Sequence, residues 1–224
     1  MESIKTITSA PPPEVNTRRL RVAQGLVLLF HLTGFVGLAF SDDPGFFQSF
    51  TPLTLVLTAV MLLAFQPGRN TGFWQFCITV GLMGFMAEVI GVFTGKFFGH
   101  YSYGATLGPK VLEVPVLIGL NWLVLTYVCG TLARYLPLAE LPRILLGAVL
   151  MVGFDACVEP VASQYDFWHW SANVIPLQNF RDWFILSCIM QAIFVRASFK
   201  KHNKLAPFVY LVQLLFFFFL GSLR

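Results

Sequence analysis

The chain has 224 residues, of which 56% are hydrophobic and only 12% are charged, and Phe alone occurs 24 times. A soluble domain of this length could not bury so much apolar surface, so the composition predicts a polytopic membrane protein. The net charge of +4 does not indicate a nucleic-acid partner, because the basic residues cluster at the ends of apolar runs, where they set topology.

The first 17 residues precede the first long apolar run and contain three consecutive prolines, Pro11 to Pro13. We expect them to form a disordered leader on the cytoplasmic side, because no small-residue cleavage site of a signal peptide follows the first apolar run. No linker or internal repeat divides the remainder. Residues 18–224 are therefore predicted to form a single transmembrane helical domain.

Seven apolar runs are close to the roughly 20 residues that a helix needs to cross a bilayer. They lie near 19–41, 46–66, 72–94, 115–135, 142–161, 180–199 and 206–222. Most of the 15 Lys and Arg residues then fall on one side of the membrane, which favours seven crossings and a cytoplasmic N-terminus. The predicted fold class is an all-α, multi-pass helix bundle in the inner (plasma) membrane of a cell.

The third run carries one carboxylate, Glu88, about six residues or on the order of 9 Å before its end. Glycines at 81, 84, 91 and 95 share its helix face, and glycine allows neighbouring helices to pack closely. Glu88 is therefore expected to face the bundle and not the lipid. An ionisable group inside a membrane span indicates a functional site, although a hydrogen bond that only holds the helices together would also explain it.

Further polar residues collect at the end of the bundle where the third span ends, which the predicted orientation makes the outer end. Asp155 and Glu159 are four residues apart and share one face of the fifth span. Asn121 lies near the outer end of the fourth span. Asn179 opens the sixth span and is followed by Asp182, whose place in a first helical turn is explained by the helix dipole. The inner half holds little that is comparable, so the pattern predicts a small-molecule pocket near the outer interface.

Two loops rich in aromatic residues, 97–103 and 165–170, are expected to lie over the same end. The candidate pocket residues in these loops are Tyr101, Tyr103, Trp168 and Trp170. The aromatic belt at a membrane interface would also explain their positions.

What the sequence lacks restricts the chemistry. The four histidines are not paired at i, i+3 or i+4, which excludes the histidine clusters of a membrane di-iron enzyme. No Gly-x-Gly-x-x-Gly follows a strand-like segment. Asp42-Asp43 is the only acidic pair, without the second motif of a magnesium-dependent prenyl transferase. We therefore expect no metal and no cofactor, and chemistry that needs only a proton, a water and an apolar pocket.

Two blocks of the sequence resemble a known family. The first runs Glu88-x-x-Gly91-x-x-Thr94-Gly95-x-x-Phe98-Gly99-x-Tyr101-x-Tyr103, followed by Leu107-Gly108-Pro109, Val114-Pro115 and Asn121-Trp122. The second contains Asp155, Pro160, Trp168-x-Trp170 and Pro176-x-x-Asn179-Phe180-x-x-Trp183. Both resemble the membrane carotenoid biosynthesis family that includes bisanhydrobacterioruberin hydratase and the carotenoid 1',2'-hydratases of bacteria.

The resemblance implies addition of water across the terminal C1=C2 bond of an acyclic carotenoid end, without a cofactor. Protonation of this alkene makes a tertiary carbocation, so the site needs a protonated carboxyl group, aromatic faces near the cation and a positioned water. Glu88 and Asp155 are the candidate acid and its partner, in either order. Asn121, Asn179 and Glu159 are expected to bind water or substrate, and the four aromatic residues to line the cation pocket.

Other functions fit the same features. A carotenoid cyclase begins with the same protonation and ends in ring closure, so its product contains no added oxygen. A non-catalytic membrane protein that binds carotenoid or lipid would retain pigment and form no product. A proton-coupled transporter would use the carboxylates as a relay, but the inverted repeat typical of transporters is not found. The expected partners are the acyclic carotenoid and membrane lipid, and nothing in the sequence specifies an oligomeric state.

Overall fold

A computed structural model describes residues 16–171 and 173–223. In this part of the chain the helices are α1 Thr17–Phe40, α2 Pro44–Gln48, α3 Thr51–Ala64, α4 Thr71–Thr94, α5 Leu117–Ala133, α6 Glu140–Ala162, α7 Leu177–Arg196 and α8 Ala206–Ser222. Four short strands, β1 Tyr101–Tyr103, β2 Lys110–Val111, β3 Val114–Pro115 and β4 Trp168–Trp170, form two antiparallel pairs, β1 with β4 and β2 with β3. The predicted all-α helix bundle is confirmed, and the short strands lie at one end of it.

The seven predicted spans correspond to the observed helices, with α2 and α3 together forming the second. Thr17–Phe40, Pro44–Ala64, Thr71–Thr94 and Glu140–Ala162 are long and apolar enough to cross a membrane. Helices α5 and α8 are also apolar and have 17 residues each. The prediction of a leader over residues 1–17 lies outside the described residues except for Asn16 and Thr17. Here the Asn16 side chain accepts hydrogen bonds from two backbone N–H groups and caps α1.

Helix α5 is the central element of the bundle. It packs against α4, α6, α7 and α8, and α3 also lies against it. Because it is surrounded, most of its residues are buried, including Trp122 and Val128. Helices α1 and α3 pack at the periphery of this core, and α1 also lies against α8. The carboxyl ends of α4 and α6 and the starts of α5 and α7 therefore meet at one end of the bundle, which we call the site end.

The opposite end holds a polar network that the sequence analysis did not anticipate. Asn203 is fully buried and donates to the Leu62 carbonyl at 2.8 Å and to the Tyr127 hydroxyl at 3.0 Å. Tyr127 in turn donates to the side-chain oxygen of Gln66, whose amide nitrogen reaches the Lys200 carbonyl at 2.8 Å. The expectation of little polar structure in this half was wrong. The network contains no carboxylate and joins the loops that follow α3 and α7, so its evident effect is structural.

Replacement of Asn203 by Ala should destabilise the bundle, because it leaves two buried acceptors without their donor. The expected loss is about 1–3 kcal/mol of unfolding free energy, measured as a lower thermal midpoint of the purified protein in detergent. The neighbouring His202 is exposed, so His202→Ala is the matched control and should leave the midpoint unchanged. Equal midpoints for the two variants would contradict the structural role of the network.

Candidate active site

The two aromatic loops meet as a pair of antiparallel strands at the site end. Tyr101 lies opposite Trp170, and Tyr103 lies opposite Trp168. Because alternate residues of a strand point to the same face, the four rings form one aromatic surface, with ring centroids 5.3 Å apart for the first pair and 6.3 Å for the second. The Tyr-x-Tyr and Trp-x-Trp spacing in the sequence is the signal of this period of two, and the sequence analysis did not read it as strands.

Glu88 points from α4 towards this surface and is only 4% exposed. Its Oε2 accepts hydrogen bonds from the hydroxyls of Tyr101 at 2.5 Å and Tyr103 at 2.8 Å. Its Oε1 accepts from the indole nitrogen of Trp122 at 2.9 Å. Both carboxyl oxygens are therefore held by donors from two other parts of the chain. Burial, and after it the neighbouring Glu88 carboxylate, raise the pKa of Tyr101 and of Tyr103, so both hydroxyls keep the protons that they donate.

Trp122 is positioned by its neighbours on both sides. Its ring stacks on Trp183 of α7, with centroids 3.9 Å apart and planes 21° from parallel. On the α4 side it packs where Gly84 has no side chain, since a Cβ at that position would lie 2.5–2.8 Å from Trp122 atoms. The sequence analysis noted Trp122 and Trp183 only as parts of two motifs. Their contact across two helices carries no local sequence signal.

Asp155 and Glu159 are buried on the same face of α6 and share one partner. The amide nitrogen of Asn179 donates to Asp155 Oδ2 at 3.0 Å and to Glu159 Oε1 at 3.1 Å. Glu159 Oε2 also accepts from the indole nitrogens of Trp170 at 2.8 Å and Trp168 at 3.3 Å. Glu159 therefore has partners on both oxygens, whereas Asp155 Oδ1 has none among the described residues.

A cavity of about 570 Å³ joins these groups. Its lining includes all nine residues singled out in the sequence, which are Glu88, Tyr101, Tyr103, Asn121, Asp155, Glu159, Trp168, Trp170 and Asn179. The remaining wall is mostly aromatic and aliphatic, with residues from α1, α2, α3, α5 and α8. The structure thus collects the predicted residues in one place, and their individual roles remain predictions.

Asn121 differs from the other polar residues of the cavity. Its side chain lines the space at the start of α5 but forms no hydrogen bond to any part of the chain that the structure describes. An amide in an apolar cavity has a free-energy cost unless it is hydrogen-bonded. Asn121 is therefore available to a water or a ligand, in contrast to Asn179, whose amide nitrogen is engaged by two carboxyl groups.

The explanation of Asp182 by the helix dipole is wrong. Helix α7 begins at Leu177, three residues before the predicted span, so Asp182 is not in its first turn. Its Oδ2 accepts from the backbone nitrogen of Phe98 at 2.9 Å, and its Oδ1 accepts from the Arg181 guanidinium at 2.8 Å. Phe98 has a positive φ of 64°, which is rare for an aromatic residue. Asp182 therefore holds this backbone and places the Phe98 ring against the cavity wall.

On the opposite face of the strand pair, Asp166 forms hydrogen bonds that hold the loop between β1 and α5 in place. Its carboxylate is bonded to a His169 ring nitrogen at 2.7 Å and accepts from the Ala105 backbone nitrogen at 2.6 Å. The His169 bond, and after it the Ala105 bond, lower the pKa of Asp166. Both side chains are substantially exposed, so this contact orders the loop outside the cavity. No group of three or more His, Cys, Asp and Glu residues in the described ranges is arranged to hold a metal ion.

Fold and cavity together define an integral membrane helix bundle with an apolar pocket that ends in three buried carboxyl groups. A family model described as "Carotenoid biosynthesis protein" matches residues 50–224, which is well over half of the chain and includes all nine predicted site residues. The chain belongs to this family and acts in carotenoid biosynthesis. No curated protein and no solved structure matches it significantly.

Gly84→Ala should displace Trp122 from Glu88, because the added Cβ would overlap the Trp122 side chain. We expect a loss of about 1–3 kcal/mol of stability, measured by thermal unfolding in detergent, and a weaker near-ultraviolet circular dichroism band from the Trp122–Trp183 stack. In the control Gly81→Ala the new Cβ would lie 3.5 Å from the nearest atom, an ordinary contact. A Gly84→Ala protein with the wild-type spectrum would show that Trp122 does not depend on this glycine.

Proposed function

We propose that the protein is a cofactor-independent carotenoid hydratase, a lyase of the hydro-lyase type. It adds water across the terminal C1=C2 bond of an acyclic carotenoid end and forms a tertiary alcohol. The observation that carries the proposal is a buried carboxyl group with one unoccupied oxygen, Asp155 Oδ1, in an aromatic cavity of a carotenoid biosynthesis protein. In line with the predicted topology, we place the enzyme in the plasma membrane with its site end outward.

Asp155 is the proposed general acid. Glu88 has donors on both oxygens, and so does Glu159. Each carboxyl oxygen has two lone pairs, but hydrogen bonds donated to both oxygens favour the deprotonated form, so Glu88 and Glu159 are less suited to donate a proton than Asp155. Asn179 donates to Asp155 Oδ2, which leaves the proton on Oδ1, the oxygen without a partner in the described chain. This choice between the two candidate acids is one that the sequence left open.

The first step transfers this proton to C2 of the alkene, and C1 becomes a tertiary cation. The aromatic surface of the strand pair is suited to stabilise that cation, since a desolvated cation over an aromatic ring gains about 2 kcal/mol or more. Glu88 lies nearby, and the donors Tyr101, Tyr103 and Trp122 hold its carboxyl group in place. Its proposed role is therefore electrostatic stabilisation and orientation, while the proton comes from Asp155.

The second step is capture of the cation by water. Asn121 has an unengaged amide that can hold a water, and the tyrosine hydroxyls, which donate to Glu88, keep lone pairs that can accept from it. Water attacks C1, and the proton that it loses returns to the Asp155 carboxylate. The acid is thereby regenerated, and the overall reaction consumes one water without oxidant, reductant or metal.

Asn121 favours hydration over the competing cyclase reaction. Both reactions begin with protonation, but a cyclase must keep water away from the cation until the ring closes. An amide without an internal partner inside the cavity attracts water to it. A carotenoid-binding protein without activity would not need three buried carboxyl groups, which are costly in a membrane.

Asp155→Asn should abolish hydration, because the amide keeps the shape of the carboxyl group and cannot donate an acidic proton. In bacteria that accumulate an acyclic carotenoid such as lycopene, the wild-type protein should yield a product heavier by the mass of one water per modified end. The variant should form at least about 100-fold less product. Pigments are analysed by liquid chromatography and mass spectrometry. Asp42 is exposed and does not line the cavity, so Asp42→Asn is the control and should retain full activity.

Incubation of the purified protein with an unlabelled acyclic carotenoid in deuterated water separates the remaining outcomes. Hydration places one deuterium at C2 and adds water, whereas cyclisation leaves the carotenoid without added oxygen. Full activity of Asp155→Asn would overturn the assignment of the acid. A wild-type product with altered retention and no added oxygen would identify a cyclase, and unchanged pigment in the presence of folded protein would refute the hydratase.

A further inference from the structure

One side of the cavity is formed by α1 and α3, and this side is loosely closed. In α3 the buried residues are Thr58 and Leu62, both in the half that is remote from the site end. The first half, 51–57, has no buried residue, yet Leu53, Thr54 and Leu57 line the cavity. This part of α3 is therefore a cavity wall that does not pack tightly against the core.

Several residues on this side face the cavity and the lipid at the same time. Leu29 of α1, Phe46 of α2 and Leu53 of α3 all line the cavity, and they are 56%, 56% and 51% exposed on the surface of the bundle. A side chain that borders the interior space and also lies half outside marks an opening. The cavity thus reaches the membrane-facing surface between α1 and α3, and we call this opening the α1–α3 gap.

Contacts above and below limit the gap to the middle of the bundle. Towards the site end, the Phe47 ring of α2 packs onto Gly37 of α1, where a Cβ would overlap it. Towards the other end, Val27 and Leu62 are buried. Neither α1 from Val22 to its end at Phe40 nor the stretch Pro44–Ala64 contains a charged residue. The opening therefore faces hydrocarbon and is lined by groups that suit a hydrocarbon ligand.

We propose that the α1–α3 gap is a lateral entrance, through which a long linear polyene enters end-first from the bilayer. A volume of about 570 Å³ is that of a pocket for a small molecule, so a rod-like chain must extend beyond it. Only the end of the chain lies at the carboxyl groups, and the remainder passes through the gap into lipid. The proposal rests on the proposed function for the identity of the chain, and the position of the entrance rests on the geometry.

Gly34 provides a direct test of the gap. It lines the cavity on α1, and a Cβ there would lie 3.6 Å from the nearest atom, in the Phe216 ring. Gly34→Ala is therefore accommodated, whereas the large side chain of Gly34→Trp must occupy the gap. Thr54→Trp fills the gap from the α3 side at a half-buried position. Leu82→Trp adds the same ring at an exposed residue of α4 that does not line the cavity.

The experiment measures two quantities for each variant produced in carotenoid-accumulating cells. These are the pigment that copurifies per mole of folded protein and the hydrated product. A third assay gives the purified proteins a short acyclic terpene hydrocarbon that has the same end group and fits wholly inside the cavity. Both gap variants should lose at least about tenfold in long-chain pigment and product and should lose much less of their activity on the short hydrocarbon. Leu82→Trp, which does not line the cavity, should behave as wild type.

Wild-type pigment retention and product in both gap variants would overturn the entrance. Equal loss of the long and short substrates in both would also overturn it, because the added rings would then fill the pocket itself. If the wild-type protein retains pigment but forms no hydrated product, the hydratase fails, and pigment retention alone still decides the entrance. Loss of pigment in the gap variants would then support the entrance for a binding protein.

Discussion

A carboxyl group in the interior of a membrane bundle has to be surrounded by hydrogen-bond donors, and the arrangement around Glu88 follows from this requirement. Two tyrosines from a strand and one tryptophan from α5 donate to it. The strand is held by β4, and Trp122 is held between Gly84 and Trp183. One buried acid thus determines how two loops and three helices come together at the site end.

Asp155 and Glu159 form a second acidic group with a different pattern of partners. Asn179 connects them, and the two tryptophans of β4 occupy the remaining oxygen of Glu159. The aromatic surface therefore supports both acidic groups, with its tyrosines on Glu88 and its tryptophans on Glu159. Asp155 has fewer hydrogen-bond partners than Glu159, so one of its oxygens remains available in the cavity, as the proposed role of proton donor requires. The proposed division of roles among the three acids is based on this difference in hydrogen bonding.

The rest of the cavity is suited to a hydrocarbon. Its polar groups lie mainly at one end, and most other lining residues are apolar, which agrees with membership of a carotenoid biosynthesis family. A substrate that is dissolved in the bilayer does not need a route from water, and the loosely packed half of α3 offers one from lipid. In the proposed hydration, water would enter at the site end, where the carboxyl groups lie. Lipid-borne chain and water would then approach the alkene from different sides.

The sequence by itself determined the helices, the burial of Glu88 and the end of the bundle where the polar residues gather, because hydropathy and helical periodicity are local properties. It did not predict the strand pair, although Tyr-x-Tyr and Trp-x-Trp carried the period of two. It also could not reveal the Trp122–Trp183 stack, the hydrogen bond from the Phe98 backbone to Asp182 or the buried Asn203 network. These contacts join residues far apart in the chain, and only packing brings them together. Which oxygen of which acid remains free depends on all these donors at once, so the tertiary structure alone decided it.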